Sequence, residues 1–408
     1  MKDKLYLYLL ILIAFTIPLN GKINSISIGL LVLYWLISGN LISKIKEVLN
    51  NNYSLLFMSI FIIQVLGLIY SENLSYGLRQ LEKKASLLIL PLIIVSSPKL
   101  KYRESLIVVL SFIVSCFLVL SFGIIKTVYV HGTLFNLPSI TEFIDETIGI
   151  HHAYSGLYLV FSLSFLYHFI NKYWFKMEIY FKLFSVLFFL VIFIYLIILG
   201  ARMALFITFL ILFIQTINNI ITYKNYKLLY IAGFASIIGI GSILYLPSTK
   251  EKVHQLLFLR GTYHPLTPRL IQWECCFKIL EENNAWILGV GTGDVSNYLL
   301  DCYQKKSFWG YLHKYNAHNE YLEEMVALGL FGLSLLLASF FFPLLYSIKI
   351  KNFYYVYFIL IFMIVCLSET VLNRQNGIVF FAFFNSLLFF SIYNEQNSKK
   401  NALNYNNY

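Results

Sequence analysis

His318 heads the run His318-Asn319-Glu320-Tyr321-Leu322, where a long polar stretch gives way to an apolar one. An imidazole at such a join can take a proton from a hydroxyl near neutral pH. Helical spacing puts Tyr321 on the same face, three residues on. The competing reading is a helix-start histidine bonded to a backbone group. Five cations fall where short links join apolar runs or where a polar helix begins: Arg79, Lys83, Arg202, Arg269 and Arg374. Arginine grips phosphate oxygens through a planar fork that lysine cannot reproduce. Such a cluster suits a pyrophosphate, and the alternative is pairing with Glu72, Glu82 or Glu369, or with lipid headgroups. Lys83 and Lys84 are adjacent, so one of the two is expected to face water; Lys22 reads as a headgroup contact. His151 and His152 open another apolar run and can bind a sugar or a phosphate. A metal there would recruit Glu142, Asp145, Glu146 or His131, a spacing that matches no familiar ligand set. No DxD pair and no CxxC pair is present, so neither a metal nor any other cofactor is expected.

The elements that must position these residues are membrane helices. Of 408 residues 59% are hydrophobic and 12% charged, with 37 Phe and 31 Tyr, against about 25% charged residues in a soluble domain. A bilayer demands about 20 apolar residues per helix. Twelve stretches qualify, at 5–20, 23–39, 53–70, 80–97, 105–128, 152–170, 178–199, 201–220, 227–246, 319–347, 353–371 and 376–393. The fold class expected is therefore all-α, with about 12 transmembrane helices and a large outer loop. The net charge of +11 is not read as nucleic-acid binding, because the lysines lie in short clusters between apolar runs. With twelve spans, Lys2/Lys4, Lys44/Lys46, Lys99/Lys101/Arg103, Lys172/Lys176, Lys224/Lys227, Lys349/Lys351 and Lys399/Lys400 all fall on one side. By the positive-inside rule that side is the cytoplasm. The division is helices 1–9 in residues 1–246, an outer loop at 247–318, helices 10–12 at 319–393, and a disordered inner tail at 394–408.

Inside the loop, Thr267-Pro268-Arg269 reads as a helix start. Leu270, Trp273, Phe277 and Leu280 follow as one apolar stripe, with Glu274, Glu281 and Glu282 left to water. Such a helix lies on the membrane surface or caps the bundle. Gly289, Gly291 and Gly293 lack the surroundings of a phosphate loop and read as a turn. Cys116 and Cys366 sit in apolar runs, whereas Cys302 can pair with Cys275 or Cys276 if the loop lies in an oxidising compartment.

Several motifs together resemble the O-antigen ligase and polymerase superfamily. HNEYLEEMVALGLFGL (318–333) is similar to the family's His-Asn-x-Tyr-Leu segment followed by Gly-Leu-x-Gly. GARMAL (200–205) is similar to its arginine-bearing outer link, and TPRLIQW (267–273) with LGVGTGD (288–294) to its loop helix and glycine-rich stretch. SETVLNRQNGIVFFAFFNSL (368–387), LEKKASLLILPLI (81–93) and IHHAYSGLYLVF (150–161) also fit, in the family's order; His151 aligns, while His152 departs from the usual His-Pro. The resemblance implies transfer of a glycan from undecaprenyl pyrophosphate to an acceptor hydroxyl, inverting and without metal. It places the active site on the periplasmic side of a bacterial inner membrane. It implies that His318 is the base and that Arg202 and Arg269 bind pyrophosphate, with Arg374 and Arg79 beside them. Tyr321, His151 and Lys83 are further substrate-binding candidates. The partners are then the lipid-linked donor, membrane lipids and an acceptor. The acceptor is lipid A–core in a ligase, another lipid-linked repeat in a polymerase, and a Ser or Thr in protein O-glycosylation. A transporter of lipid-linked glycans would instead require mid-membrane charges and internal repeats, and the sequence has neither.

Overall fold

The computed structural model describes residues 2–19, 21–132, 140–223 and 267–405. All regular elements among them are helical: α1 (Lys2–Thr16), α2 (Gly21–Ile37), α3 (Leu41–Leu49), α4 (Asn52–Ile69), α5 (Leu74–Lys84), α6 (Ser86–Ser96), α7 (Tyr102–His131) and α8 (Ile140–Ile148). Then come α9 (His152–Tyr173), α10 (Ile179–Leu199), α11 (Arg202–Tyr223), α12 (Thr267–Glu282), α13 (Val295–Lys305), α14 (Glu320–Lys349), α15 (Phe353–Val365) and α16 (Gln375–Tyr405). The last of these continues into the tail for which the sequence predicts disorder.

Seven described helices are long and apolar enough to cross a membrane: α4, α7, α9, α10, α11, α14 and α16. The count rises to 8 if α2 and α3, bent by 108°, form one broken span. The expected twelve also needs α1, α6 and α15, each shorter than the roughly 20 residues a single crossing asks for. It further needs the 227–246 span, which with Lys224, Lys227 and the 247–266 part of the loop lies outside the described residues. The stretch 80–97 is not one helix. The chain breaks at Ala85, so that α5 carries the polar residues and α6 the apolar ones.

Two compact units make up the chain. The first comprises residues 1–112, 268–359 and 366–408. Its centre is α16, packed on α6, with Phe380 and Phe384 against Phe112 and Phe358. Two buried polar pairs lie there: Asn352 Nδ2 donates to Leu388 O (2.9 Å) and the Tyr355 hydroxyl to Asn385 Oδ1 (2.7 Å). In lipid such pairing replaces what water would supply. The second unit comprises 113–267 and 360–365, where α9 packs on both α10 and α11. Gln215 Nε2 ties α11 to Ser164 O and Oγ of α9 (3.0 and 2.8 Å).

Within the first unit, α14 is interrupted. Gly329 adopts φ 64° and ψ −161°, far from helical values. A break there frees the carbonyls of Val326 and Ala327 and the N–H groups of Leu330 and Phe331, which a continuous helix would pair with each other. The segment 286–291 takes up all four. Val290 N donates to Val326 O and Gly291 N to Ala327 O, each at 2.9 Å, while Leu330 N donates to Trp286 O (2.7 Å) and Phe331 N to Ile287 O (3.3 Å). The approach is so close that a Cβ on Gly289 would lie 2.3 Å from Ala327 C, and one on Gly329 2.2 Å from Ile287 C. The glycine-rich stretch is thus more than a loop turn: its backbone mends a broken helix. It continues to α4, where Thr292 Oγ1 donates to Gln64 O (2.8 Å), and Asp294 accepts from Glu72 N and Asn73 N (2.8 Å each).

Candidate active site

His318 sits outside α14, one residue before its N-cap Asn319, whose side chain accepts from Leu322 N at 3.1 Å. Its φ of +45° is the left-handed region, uncommon for a residue with a Cβ. Two hydrogen bonds hold that conformation: His318 N donates to Asn316 Oδ1 (3.1 Å) and Ala317 N to Glu323 Oε2 (2.9 Å). Because His318 precedes the helix, the three-residue spacing does not bring Tyr321 onto its face. The Tyr321 ring instead meets Phe340 edge-on, with centroids 6.5 Å apart.

The His318 ring is bonded to a side chain rather than to a backbone group. Its Nδ1 lies 3.2 Å from Glu369 Oε2. The other oxygen of Glu369 accepts from Arg269 Nη2 at 3.3 Å. One carboxylate thus joins an imidazole and a guanidinium from distant parts of the sequence. Side-chain exposure is 28% for His318, 25% for Glu369 and 30% for Arg269, so the trio opens to solvent on one side. Arg269 is paired, as one of the sequence alternatives allows, but among the described residues the pair uses a single guanidinium nitrogen. The remaining donors can meet an anion.

Below the trio, the start of α14 is stitched to the link before α16. Glu320 N donates to Cys366 O (2.8 Å), Leu372 N to Glu320 Oε2 (2.7 Å) and Asn373 Nδ2 to Glu323 Oε1 (2.7 Å). Glu324 accepts twice from Gln64 Nε2, at 2.9 and 2.8 Å. Lys84, at the end of α5, is buried. Of the adjacent lysines it is Lys84 that turns inward, whereas Lys83, Arg79 and Arg374 are exposed. Gly77 and Lys84, the buried residues of α5, are seven apart and so two turns along one face. For Glu369 the sequence signal is only that of an alternative partner for the cations.

The loop helix α12 departs from the stripe read in the sequence. Leu270 and Phe277 are exposed, and the buried face is Gln272, Cys275, Cys276, Ile279 and Leu280. Cys275 is in a disulfide with Cys302, with Cα atoms 5.9 Å apart, which clamps α12 to α13. Cys276 is free and buried. Burial pushes its thiol well above the ordinary range, so it stays protonated and unreactive. Burial likewise raises the phenol of Tyr303, which packs in the same cluster.

Arg202 and His151 belong to the second unit. Arg202 is the exposed first residue of α11, following Gly200, whose φ of 62° ends α10. His151 caps α9, its Nδ1 accepting from Ala153 N at 3.3 Å. His152 Nδ1 meets Asp145 Oδ2 at 2.7 Å, and the two histidine rings stack with centroids 4.1 Å apart.

Helices of this length and apolarity define a multi-pass membrane protein, and its polar residues converge on a histidine–carboxylate–arginine cluster. Residues 184–337 match the family model described as O-antigen ligase. This stretch includes the Arg202 link and the HNEYL segment, and the match supports the O-antigen ligase superfamily. No curated protein is similar enough to the chain to count as a match. The family supports O-antigen ligase or polymerase-type function, with a lipid-linked glycan and an acceptor as partners in general terms.

Proposed function

We propose that the chain transfers a glycan from undecaprenyl pyrophosphate to an acceptor hydroxyl at the periplasmic face of the inner membrane. The observation that carries this reading is the bond of Glu369 to His318 Nδ1. A carboxylate there fixes the tautomer with the proton on Nδ1, leaving Nε2 as the acceptor of a proton, and it stabilises the imidazolium that forms. His318 then removes the proton from the acceptor hydroxyl, which attacks the anomeric carbon opposite the departing pyrophosphate and inverts it. Arg269, held by Glu369 through one nitrogen, binds phosphate oxygens through its others; Arg202, Arg374 and Arg79 share that role, and His151, Lys83 and Tyr321 contact substrate. Cations fixed in place before the reaction stabilise the charge that develops on the leaving group. No step calls on a metal. The acceptor proposed is lipid A–core, as in a ligase.

The test is a reconstituted assay in proteoliposomes with lipid-linked donor and separate acceptor. His318→Ala should lower transfer by about 10²–10⁴, the usual contribution of a positioned base, while donor binding persists. A loss of donor binding with acceptor binding intact would move His318 to the pyrophosphate. Transfer to lipid A–core but not to a second lipid-linked repeat identifies a ligase; the reverse identifies a polymerase.

A further inference from the structure

We infer that Trp309, His313 and Tyr315 form a stacking platform for a sugar ring of the acceptor's core oligosaccharide, leading up to His318. The rings touch in succession. The Trp309 centroid lies 5.5 Å from that of His313 and 5.2 Å from that of Tyr315. His313 and Tyr315 are 5.7 Å apart, and Tyr315 meets His318 in a T-shaped contact at 5.3 Å. Trp309 is 50% exposed, His313 is exposed and Tyr315 is half-buried. The row is braced from the core. Buried Phe308 meets Trp309 at 5.4 Å and Tyr303 at 5.3 Å, and the Tyr303 hydroxyl donates to Asn316 O at 3.2 Å. Tyr315 N donates to Gly310 O at 3.1 Å. Rings held in this way lose little freedom when a ligand settles on them. The backbone carries strain as well. Ser307, Lys314 and His318 have φ of 51°, 51° and 45°, values rare for residues with a Cβ, and such strain gathers at ligand sites.

The face of an aromatic ring is electron-rich and attracts hydrogens with partial positive charge. A sugar ring offers such hydrogens on C–H bonds polarised by neighbouring oxygens, with hydroxyls around its rim. Trp309 and Tyr315 suit the C–H face, and the ring nitrogens of His313 and His318 suit the hydroxyls. Phosphate calls for cations, and Arg269 is joined to His318 through Glu369. The platform therefore matches a neutral sugar rather than the pyrophosphate. Lipid tails could lie on Trp309 and on exposed Leu312, but they have no use for two imidazoles. Assignment to the acceptor rests on the proposed role of His318. The hydroxyl it deprotonates must come to its Nε2, so the acceptor's sugars pass the rings that adjoin it.

The experiment titrates the full chain in detergent with deacylated lipid A–core oligosaccharide, which carries the sugars without acyl chains, and reads binding by calorimetry. Trp309→Ala and Trp309→Leu should each weaken binding by about five- to tenfold, the scale of one aromatic contact. Trp309→Phe restores a ring face and should recover most of it. In proteoliposomes the same loss should appear as a higher KM for acceptor, with kcat and the donor KM unchanged. Binding that depends on Trp309 in a chain that transfers nothing would support the platform and sink the proposed transfer. Transfer whose acceptor KM ignores Trp309→Ala would overturn the platform and leave that transfer standing. Wild-type affinity in Trp309→Leu would make the patch a lipid contact, and an effect on the donor KM alone would hand it to the donor sugar. Either result, or no oligosaccharide binding by the wild type, would overturn the proposal.

Discussion

Glu369→Gln tests the central arrangement most directly. The carboxylate makes one bond to His318 at 3.2 Å and one to Arg269 at 3.3 Å. Hydrogen bonds to charged groups contribute about 1.5–3 kcal/mol. Both distances exceed the about 2.7–2.9 Å of a tight charged pair, and the groups are a quarter or more exposed, so the lower value applies to each. Losing the His318 bond alone then costs about 1.5 kcal/mol, and losing both about 3 kcal/mol. At about 1.4 kcal/mol per decade these become roughly tenfold and a hundredfold in rate. Glu369→Gln, which keeps an acceptor oxygen, should fall near the first figure and Glu369→Ala near the second. The assay is initial transfer rate in proteoliposomes, with size exclusion confirming that each variant is intact. The decisive comparison is a double-mutant cycle. If Glu369 acts through His318, Glu369→Gln introduced into His318→Ala should lower the residual rate by less than about threefold. A full additional tenfold, or an unchanged rate in the single variant, would refute the coupling.

Arg202→Lys and Arg269→Lys should each lose most transfer activity while still inserting, since lysine keeps the charge but not the planar fork; normal rates in both would remove bidentate phosphate binding from the mechanism. Single-cysteine labelling from the periplasmic side should modify Lys305→Cys and leave Ile350→Cys untouched, and the reverse pattern would invert the topology. Gly329→Ala should lower stability by about 1–3 kcal/mol from its backbone conformation alone, with more from the Cβ placed 2.2 Å from Ile287 C. A thermal midpoint within error of wild type would mean that α14 runs straight through.

Long apolar runs made the major helices legible, because a bilayer leaves the backbone few alternatives. His318 and the arginines stood out because cations and a histidine at those joins have no part in folding an apolar bundle. Other features were hidden for identifiable reasons. The inward turn of Lys84 rather than Lys83 depends on which face α5 presents, and in so short a helix both lysines look solvated. The buried face of α12 escapes an apolar-stripe argument because Gln272, Cys275 and Cys276 are polar or small, whereas the bulky Leu270 and Phe277 are exposed. An apolar-stripe argument weights size, and here burial follows the disulfide and the contacts of α13. The Cys275–Cys302 pairing itself was undecided in the sequence, since adjacent Cys275 and Cys276 are equally spaced from Cys302 for practical purposes.

The break at Gly329 was the least legible feature, and it links two motifs that the sequence presents separately. A run such as MVALGLFGL promises a continuous helix, because one glycine costs an isolated helix only about 1 kcal/mol. What makes the break tolerable lies some 40 residues upstream, in the backbone of 286–291, which satisfies all four groups the break releases. That same segment is joined through Thr292 and Asp294 to the end of α4 and the start of α5. At the head of α14, Glu324 accepts from Gln64 of α4, and the carboxylates of Glu320 and Glu323 hold Leu372 N, Asn373 Nδ2 and Ala317 N. The glycines and the histidine are therefore parts of one support. Close backbone approach at Gly289 and Gly329 fixes α14 against α4, and the glutamates at the head of α14 place His318 beside Glu369 and Arg269. A larger residue at either glycine should disturb the His318 segment without touching it. The effect on transfer should then be a loss of kcat, because the reacting groups would be mispositioned.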